Sequence, residues 1–599
     1  ITSPGTTGIF VNGVELLNYK SKDSIFYGEI KDIFVSAPGQ NYDIINPPKL
    51  NIQDEVGSGA TGYVAIKGSL QRIDIVDPGF DYVEVPKIII TGGNGQNARA
   101  TANLTSIDHE VAFNSKSGIG TTTNIIGFST YHKFRNGEIV IYEPRGRKVV
   151  TGLSTNSQYY ASVVDPLKIK LYKNFNDFSA GINTVSLVGF GTGRQYFKSL
   201  ARKNIVSSIQ VVDPGTGYES KLRSTTSSGI STYSDSIYIK NHGYLSGEII
   251  KYDATSTPIV GLTSGTSYYV TKVDNDYFKL SNVAVGSSQK NIFYSTKKYI
   301  KFISVGSGIH KFNYEPINVE VIGSTGIGST FATQIQLQPI FTGSVTSVHL
   351  ESGGENYGSE ILNLKRLPNI DLLSGRDASV TPVVNSLGAI VDVIIIDPGV
   401  EYYSIPSIDI KGTGSGAILT PIIKNKSLYK IKIISGGAGY NENTIINIIP
   451  SGSGAKFEPK INSWNIDLVE RLSRNNQLSE DDGVLYGGKE KEGLEYTHLY
   501  ASRKLRQSVL GVRNLRGGVV YNPDLEVING SESTSLSHSP IIGWAYDGNP
   551  IYGPYGYSSP TGGAVRLVKS GYKLQLVSSK NRPNYPLGSF VEDYEFLDE

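Results

Sequence analysis

The chain has 599 residues with a formal net charge of +2, and it contains 67 Gly and 38 Tyr but neither Cys nor Met. The lack of Cys excludes disulfides and thiolate metal sites, and the interspersed charges form no basic tract for nucleic acid. No apolar run is long enough for a transmembrane helix, and the N-terminus lacks the order of a signal peptide. Because the first residue is Ile1 and not Met, we expect a processed chain or a segment of a longer one.

The first predicted elements are β-strands that end in a recurrent turn. Short runs rich in Ile, Val, Tyr and Thr, bounded by Gly, Pro, Asn, Asp or Ser, are typical of all-β proteins. Pro presets φ at one turn position and Gly supplies a positive φ at the next, so we predict tight structural turns. We expect the Tyr to fold over the strand pair with its hydroxyl at the wet edge. The six Gly-x-x-Tyr turns contain Gly39 and Tyr42, Gly79 and Tyr82, Gly215 and Tyr218, Gly354 and Tyr357, Gly399 and Tyr402, and Gly437 and Tyr440.

These turns recur with a period of about 40 residues, which two insertions interrupt. Several copies continue with a Pro-x-Ile-x-Ile strand and a Gly-Ser-Gly-Ala turn, as at residues 57–60, 414–417 and 452–455. Each unit is too small to bury its apolar face alone, so neighbouring units must stack or pair. Acidic residues at two turns, Asp77 with Asp81 and Asp397 with Glu401, leave calcium as an alternative. Other copies have Asn or Gly there, which favours plain turns.

The two insertions, at about residues 122–200 and 232–315, are copies of each other. The first begins His-Lys-Phe-Arg-Asn-Gly-Glu-Ile-Val at His132, and the second begins His-Gly-Tyr-Leu-Ser-Gly-Glu-Ile-Ile at His242. Their alternating patterns predict half-buried strands, and we expect two homologous β-barrels or sandwiches. A matched His is a candidate ligand or acid. Neither copy has carboxylates or further His at metal spacing, so a structural role is favoured.

The inserted modules and the tandem turns resemble those of tail and fibre proteins of tailed bacteriophages, especially phages of marine cyanobacteria. The resemblance implies a structural protein of the virion tail, in the fibre, baseplate or another tail-associated part. It also implies other virion proteins as partners, a homo-oligomer such as a trimer, and a host cell-surface glycan as a further partner. Two alternatives remain, a bacterial cell-surface adhesin and a glycan-cleaving tail-spike enzyme. The enzyme predicts a regular parallel β-helix, whereas the interrupted period favours short antiparallel strands.

The composition changes at about Trp464. Residues 466–472 predict a short amphipathic helix, and residues 473–493 an exposed loop. The run from His538 to Tyr557 strongly resembles the core of the YHYH domain family, and residues 582–588 and 590–596 extend the likeness. The family's Tyr-His-Tyr-His is replaced by residues 518–523, which contain no His. Because the family's domain usually continues beyond the position of Glu599, we expect a truncated domain.

The C-terminal segment also contains the candidate site residues. His538 and Asp547, with His498, are ingredients of an acid–base or metal site. The namesake histidines are missing, however, so we predict no catalytic residue, no metal and no cofactor. Two interpretations remain: turns at Asp547-Gly548 and Asn549-Pro550 with His538 hydrogen-bonded to a neighbouring loop, or a surface that binds a glycan through aromatic rings with polar rims. Its residues are His538, Trp544, Tyr546, Asp547, Tyr552, Tyr555 and Tyr557.

The sequence therefore predicts an all-β protein of tandem β-repeats, with two inserted, mutually homologous β domains and a mixed, mostly β C-terminal domain. This order makes the repeats a scaffold that displays modules. The expected boundaries are residues 1–120 for the first two turns, 121–204 for the first insertion, 205–231 for the third turn, 232–322 for the second insertion, 323–462 for the last three turns and 463–599 for the YHYH-like domain.

Overall fold

The computed structural model describes residues 5–283, 299–323, 335–474, 479, 483–486, 495–499, 505, 538–539, 541–575 and 581–597. β-Strands dominate these residues, which confirms the all-β prediction. The helices in the described part of the chain are too short or too polar to span a bilayer.

The N-terminal part of the scaffold contains two long strands. β3 has 21 residues and β6 has 20, and both contain bulges that let them bend along their partners. The prediction of short strands does not hold here, because β6 runs without a break from the Gly-Ser-Gly-Ala turn at residues 57–60 to the turn at Gly79. The strands of this part are β1 (Thr6–Phe10), β2 (Glu15–Leu17), β3 (Lys20–Gln40), β4 (Tyr42–Asp43), β5 (Lys49–Gln53), β6 (Ser58–Asp77), β7 (Lys87–Thr91) and β8 (Arg99–Ile107).

The first inserted module is a seven-stranded antiparallel sheet with the order β10-β11-β14-β13-β12-β15-β9. Its aromatic core includes Phe134, Tyr142 and Phe197, all fully buried. The elements are β9 (Glu110–Asn114), β10 (Ile119–Gly120), β11 (Ile125–Gly127), β12 (Glu138–Glu143), β13 (Gln158–Asp165), β14 (Lys168–Tyr172), α1 (Phe175–Ala180) and β15 (Arg194–Ser199).

The second inserted module repeats this topology, with the order β18-β24-β21-β22-β23-β20-β19. Its core places Tyr244, Tyr252 and Phe312 at the matched positions. The strands up to its end are β16 (Lys203–Asp213), β17 (Tyr218–Ser220), β18 (Leu222–Thr225), β19 (Ile230–Ser231), β20 (Ser236–Tyr238), β21 (Ile249–Ala254), β22 (Thr266–Lys272), β23 (Tyr277–Ser281) and β24 (His310–Tyr314).

Both modules begin earlier than the expected starts at residues 121 and 232. β9 and β18 complete the sheets because they pair with β15 and β24 along the last free edge. These two strands precede the segment in which the copies are obviously alike, so the alignment of the copies missed them.

The scaffold resumes after the second module and contains the remaining repeats. α2 starts two residues after the start of the helix predicted at residues 466–472. The elements are β25 (Asn318–Ile322), β26 (Gln336–Glu355), β27 (Tyr357–Ser359), β28 (Asn369–Leu373), β29 (Ser379–Val384), β30 (Ile390–Asp397), β31 (Ser407–Lys411), β32 (Ser415–Lys424), β33 (Ser427–Ala438), β34 (Ile445–Ile449), β35 (Ser453–Asp467) and α2 (Leu468–Arg474).

Among the described residues, the five longest antiparallel ribbons of the scaffold connect its repeats. They are β3–β35, β6–β26, β8–β16, β29–β30 and β32–β33. The first three join segments that are far apart in the chain, and the last two are local hairpins. β3–β35 pairs the strand of the first Gly-x-x-Tyr turn with the second strand after the last one. The repeats are therefore not stacked simply in sequence order.

The C-terminal strands share a sheet with the N-terminus, in the order β36-β37-β2-β1-β38-β39. Strand pairing thus crosses the expected boundary at residue 463. β36 also lies within the loop expected at residues 473–493, most of which falls outside the described residues. The strands are β36 (Gly483–Tyr486), β37 (Glu495–His498), β38 (Ile541–Ala545), β39 (Pro550–Tyr552), β40 (Tyr555–Ser559), β41 (Gly562–Leu567), β42 (Tyr572–Leu574) and β43 (Tyr594–Phe596).

Candidate functional site

The six Gly-x-x-Tyr turns share one backbone conformation. All six glycines have φ between 60° and 65°, the left-handed region that glycine enters at little cost. The turn prediction made from the sequence agrees with this geometry. The values are 60° for Gly39, 65° for Gly79, Gly215 and Gly354, 61° for Gly399 and 62° for Gly437.

A second position of the same turn also has a positive φ, and the sequence analysis overlooked it. The residue directly before each Tyr is left-handed, and it is Asn, Asp, Gly or Glu. Asn, Asp and Gly tolerate this conformation better than other residues, so the signal was present in the sequence. The six residues and their φ values are Asn41 (60°), Asp81 (63°), Gly217 (78°), Asn356 (63°), Glu401 (61°) and Gly439 (79°).

Each tyrosine of these turns is buried, and its hydroxyl accepts a hydrogen bond from a backbone N–H in another segment of the chain. The prediction that the hydroxyl lies at the wet edge was wrong, because the hydroxyl accepts a hydrogen bond inside the ribbon. Burial raises the pKa of Tyr42 and Tyr357, for example, above the ordinary value. The donors are the N–H groups of Ala455 to Tyr42 (3.1 Å), Ala60 to Tyr357 (3.3 Å), Ala417 to Tyr440 (3.4 Å), Ile335 to Tyr82 (2.7 Å), Ala98 to Tyr218 and Ala378 to Tyr402.

In five of the six cases the donor Ala ends a second turn of the form Gly-x-x-Ala. A Cβ atom on the first Gly of that turn would overlap the ring of the bound Tyr. The ring therefore lies against the bare backbone of its partner turn, and only Gly fits. We call this arrangement a tyrosine lock. The Gly-x-x-Ala turns and their tyrosines are 57–60 with Tyr357, 95–98 with Tyr218, 375–378 with Tyr402, 414–417 with Tyr440 and 452–455 with Tyr42.

Protein groups engage the carboxylates that suggested calcium. Asp77 and Asp397 each accept the N–H of the turn glycine two residues later, at 3.0 and 2.8 Å. Asp81, which is buried, forms an ion pair with the guanidinium of Arg135 in the first inserted module. Glu401 forms an ion pair with Arg376, with 3.0 Å between Nε and the carboxylate oxygen. These contacts explain the acidic residues as parts of the turns and of their junction with the module.

His132 and His242 occupy matched structural positions in the two modules. In each, Nδ1 accepts the backbone N–H two residues later, Phe134 at 3.0 Å and Tyr244 at 2.9 Å. Nε2 faces a carbonyl oxygen in each case, that of Asp165 at 2.9 Å or Asp274 at 3.1 Å. Both rings are fully buried, and burial lowers the pKa of both. Each imidazole therefore stays neutral and fastens a loop to its sheet.

The predicted C-terminal surface lies on β38, β39 and β40. Trp544 is 48% exposed and stands between Ile9 of β1 and Pro550 of β39, its neighbours in the sheet. Ile9 is exposed as well, so the N-terminal strand extends the apolar surface. Tyr546, Tyr552 and Tyr557 are exposed, whereas Tyr555 is buried and belongs to the core. Tyr555 is therefore the one predicted aromatic residue that does not face solvent.

His538 joins two of these tyrosines. Its ring packs against Tyr552 and Tyr557, with centroids 4.9 and 4.8 Å away. Nδ1 lies 2.7 Å from the carbonyl oxygen of Ser539, so that nitrogen carries the proton. The His538 ring thus supports an aromatic group at one end of the surface.

Tyr546 and Asp547 lie in the turn between β38 and β39. The Asp547 carboxylate accepts the N–H of Asn549 at 3.1 Å, and this contact lowers its pKa. The Tyr546 hydroxyl donates a hydrogen bond to the carboxylate of Glu15 in β2, and this contact raises the pKa of Tyr546. Asp547 is therefore a turn residue that faces solvent, as the Asp-Gly sequence indicates.

The candidate acid–base group of His538, Asp547 and His498 is not assembled. His498 is buried in β37, which is separated from β38 by β2 and β1. Three strand spacings correspond to about 14 Å. Across the described ranges, no three His, Asp or Glu side chains converge as they would around a metal ion. The arrangement is therefore that of an aromatic contact surface.

Comparison with known proteins bears on this same segment. Residues 514–599 match the family model described as YHYH protein, which confirms the predicted resemblance of the C-terminal segment. Residues 518–523, where the sequence lacks the namesake histidines, lie outside the described residues. No curated protein and no solved structure matches the chain.

Proposed function

We propose that the protein is a structural component of the tail of a tailed bacteriophage. In this role the locked repeats form a scaffold that holds two β modules and an exposed C-terminal aromatic surface. The likeness of the repeats and modules to tail and fibre proteins supports the assignment. The single observation that carries the scaffold role is the lock between Tyr42 and Ala455, because it fastens the first repeat to the last.

A particle component must keep its shape outside the cell, where proteases and dilution act on it. In a linear repeat array, unfolding can begin at either terminal repeat. Here the β3–β35 ribbon pairs the first repeat with the chain after the last one, so neither end is unpaired. Buried Tyr rings and backbone hydrogen bonds do this without disulfides, since the chain has no Cys. The lock therefore suits the function that we propose.

The aromatic surface supports a second part of the proposal, contact with a glycan of the host surface. Trp544, Tyr552 and Tyr557 expose their rings, and the turn between β38 and β39 adds the hydroxyl of Tyr546 and the carboxylate of Asp547. Sugars stack their apolar faces on such rings and hydrogen-bond at the rim. The surface is held by strands from both chain ends, so the scaffold fixes its orientation.

Localisation in the particle tests the tail assignment. Antibodies against the whole chain would be applied to purified particles of the phage that encodes it and imaged by negative-stain electron microscopy. We expect label confined to the tail, and the chain in the mass spectrum of the particles. Label on uninfected bacteria, with none on particles, would contradict the proposal and favour a cell-surface adhesin.

A further inference from the structure

A cavity of about 700 Å³ opens between the scaffold and the second inserted module. β3 and β26 form its scaffold side, and β18 and β20 form its module side. The volume lies in the range of sites that hold small organic ligands. This cavity is distinct from the C-terminal aromatic surface, with which it shares no residue.

A buried cation lines this cavity without an acidic partner. Arg223 of β18 is 3% exposed, and its guanidinium donates to the carbonyl oxygen of Leu222 at 3.1 Å and to Ser347 Oγ at 3.0 Å. Both acceptors are neutral, and among the described residues no carboxylate lies within ion-pair distance of Arg223. A buried charge is costly unless it is paired. The site therefore favours an incoming anion, and a guanidinium binds a carboxylate through two parallel hydrogen bonds.

The duplicated module shows that folding does not require this charge. In the first module Val111 lies opposite Phe197, and in the second Arg223 lies opposite Phe312 at the same register. The next two residues also change, from Ala112 and Phe113 to Ser224 and Thr225. Val111 and Phe113 belong to the core of their module. An apolar strand has thus become a polar one where it meets the cavity.

The rest of the cavity wall suits a sugar more than a small ion. Hydroxyl groups of Ser224, Thr225 and Ser347 line it, and two exposed aromatic rings, Phe34 and Tyr238, stand at its rim. Hydroxyls hydrogen-bond to sugar hydroxyls, and rings stack on the apolar faces of pyranoses. Lys240 adds a further positive charge at the rim, where it pairs with Asp32 at 3.3 Å.

Two carboxylates line the same cavity, Asp32, which pairs with Lys240, and Glu351. Glu351 accepts the hydroxyl of Tyr63 at 3.1 Å and that of Ser224 at 3.4 Å. His349 lies beside Arg223, and burial with that charge lowers its pKa to about 4, so it is neutral at pH 7. Arg223 is therefore the buried positive charge that faces the cavity.

We propose that this cavity binds an acidic saccharide, with its carboxylate on Arg223 and its ring against Phe34. The proposal does not depend on the tail assignment or on the C-terminal surface. It gives the second inserted module a ligand that the first module lacks.

Calorimetric titration with hexagalacturonate, an oligosaccharide of six carboxylated sugars, tests the proposal, and neutral maltohexaose serves as the comparison ligand. We expect the acidic sugar alone to bind, more weakly as salt rises. Arg223→Val, which installs the residue of the first module, should weaken binding about ten-fold or more, the value of a charged hydrogen bond. Its melting temperature should not fall, because an unpaired buried charge is removed.

Control variants separate this site from others. Arg202→Gln changes an arginine outside the cavity and should bind hexagalacturonate like the parent. Phe34→Ala, at an exposed position, should weaken binding several-fold without affecting folding, so it tests the site even if Arg223→Val fails to fold. No binding to the parent, equal binding of maltohexaose, or undiminished binding in Phe34→Ala would overturn the proposal.

Discussion

The hydroxyl of Tyr42 accepts a hydrogen bond from the backbone N–H of Ala455, at 3.1 Å and across 413 residues of chain. The two residues belong to the first Gly-x-x-Tyr turn and to the Gly-x-x-Ala turn that follows the last one. Because Gly452 has no side chain, the Tyr42 ring lies directly on the backbone of the partner turn. A local motif thereby determines a long-range connection.

Removal of this hydroxyl should destabilise the protein measurably. In Tyr42→Phe the ring still fills its place, but the buried N–H of Ala455 loses its acceptor. An unsatisfied buried donor costs about 1–3 kcal/mol, so we expect a loss of that size in the free energy of unfolding by urea titration. Tyr233→Phe is the control, since Tyr233 is fully exposed. An equal effect of the two substitutions would contradict the lock.

The turn glycines should tolerate no side chain, for two separable reasons. Gly399 has a positive φ of 61°. A Cβ atom added there would lie 2.8 Å from Cε2 of Tyr402. Gly146 also has a positive φ, 74°, but nothing lies within 4 Å of its Cβ position. Gly146→Ala should therefore cost about 1 kcal/mol from backbone strain alone. Gly399→Ala should cost more, by a further 1–3 kcal/mol or so for overpacking. Equal melting temperatures of the two variants would refute the close contact.

His349 should make stability depend on pH. Its folded pKa is about 4, against an ordinary value of 6.5. Between these values the unfolded chain binds one more proton at this site than the folded chain, so the stability contribution is present above pH 6.5 and is lost as pH falls towards 4. We expect His349→Gln to flatten the dependence of unfolding free energy on pH in this window. Both proteins contain the carboxylates that titrate in this window, so their contribution cancels when the two curves are compared. Parallel curves for the parent and His349→Gln would contradict the assignment.

The aromatic surface should matter for binding and not for folding. Trp544 is half exposed, so Trp544→Ser should lower the melting temperature only slightly. We expect it to weaken binding of the purified chain to host cells by about ten-fold or more, as for a central aromatic contact. Tyr233→Ser is a matched exposed control in the second module. If both variants bind host cells like the parent, the surface has no part in attachment.

Much of the local structure could be predicted from the sequence, because turn chemistry depends on neighbouring residues. The positive φ of Gly79 and Gly399 follows from the Asp-Pro-Gly turns that contain them. The likeness of the two insertions predicted that they share one topology. The pairing of repeats could not be predicted. All copies carry the same Gly and Tyr, so nothing local shows that Tyr42 binds Ala455 and not another copy.

The candidate sites were less accessible to sequence reasoning. The run of aromatic residues predicted the C-terminal surface, but the contribution of Ile9 and the burial of Tyr555 depend on the way the sheet joins both chain ends. Arg223 was missed because the expected second module began at residue 232. The signal was present, since an alignment extended upstream places Arg223 at the position of Val111.

The proposed function depends most on the closure of the scaffold, and a cysteine pair tests it directly. Gln40 and Ser453 are exposed partners in the β3–β35 ribbon, at a spacing that suits a disulfide. Because the chain has no Cys, the variant Gln40→Cys with Ser453→Cys contains only these two thiols. We predict that mild oxidation of the folded monomer links them within one chain, giving altered mobility in a non-reducing denaturing gel that neither single variant shows. Two titratable thiols and unchanged mobility after oxidation would contradict the closed scaffold.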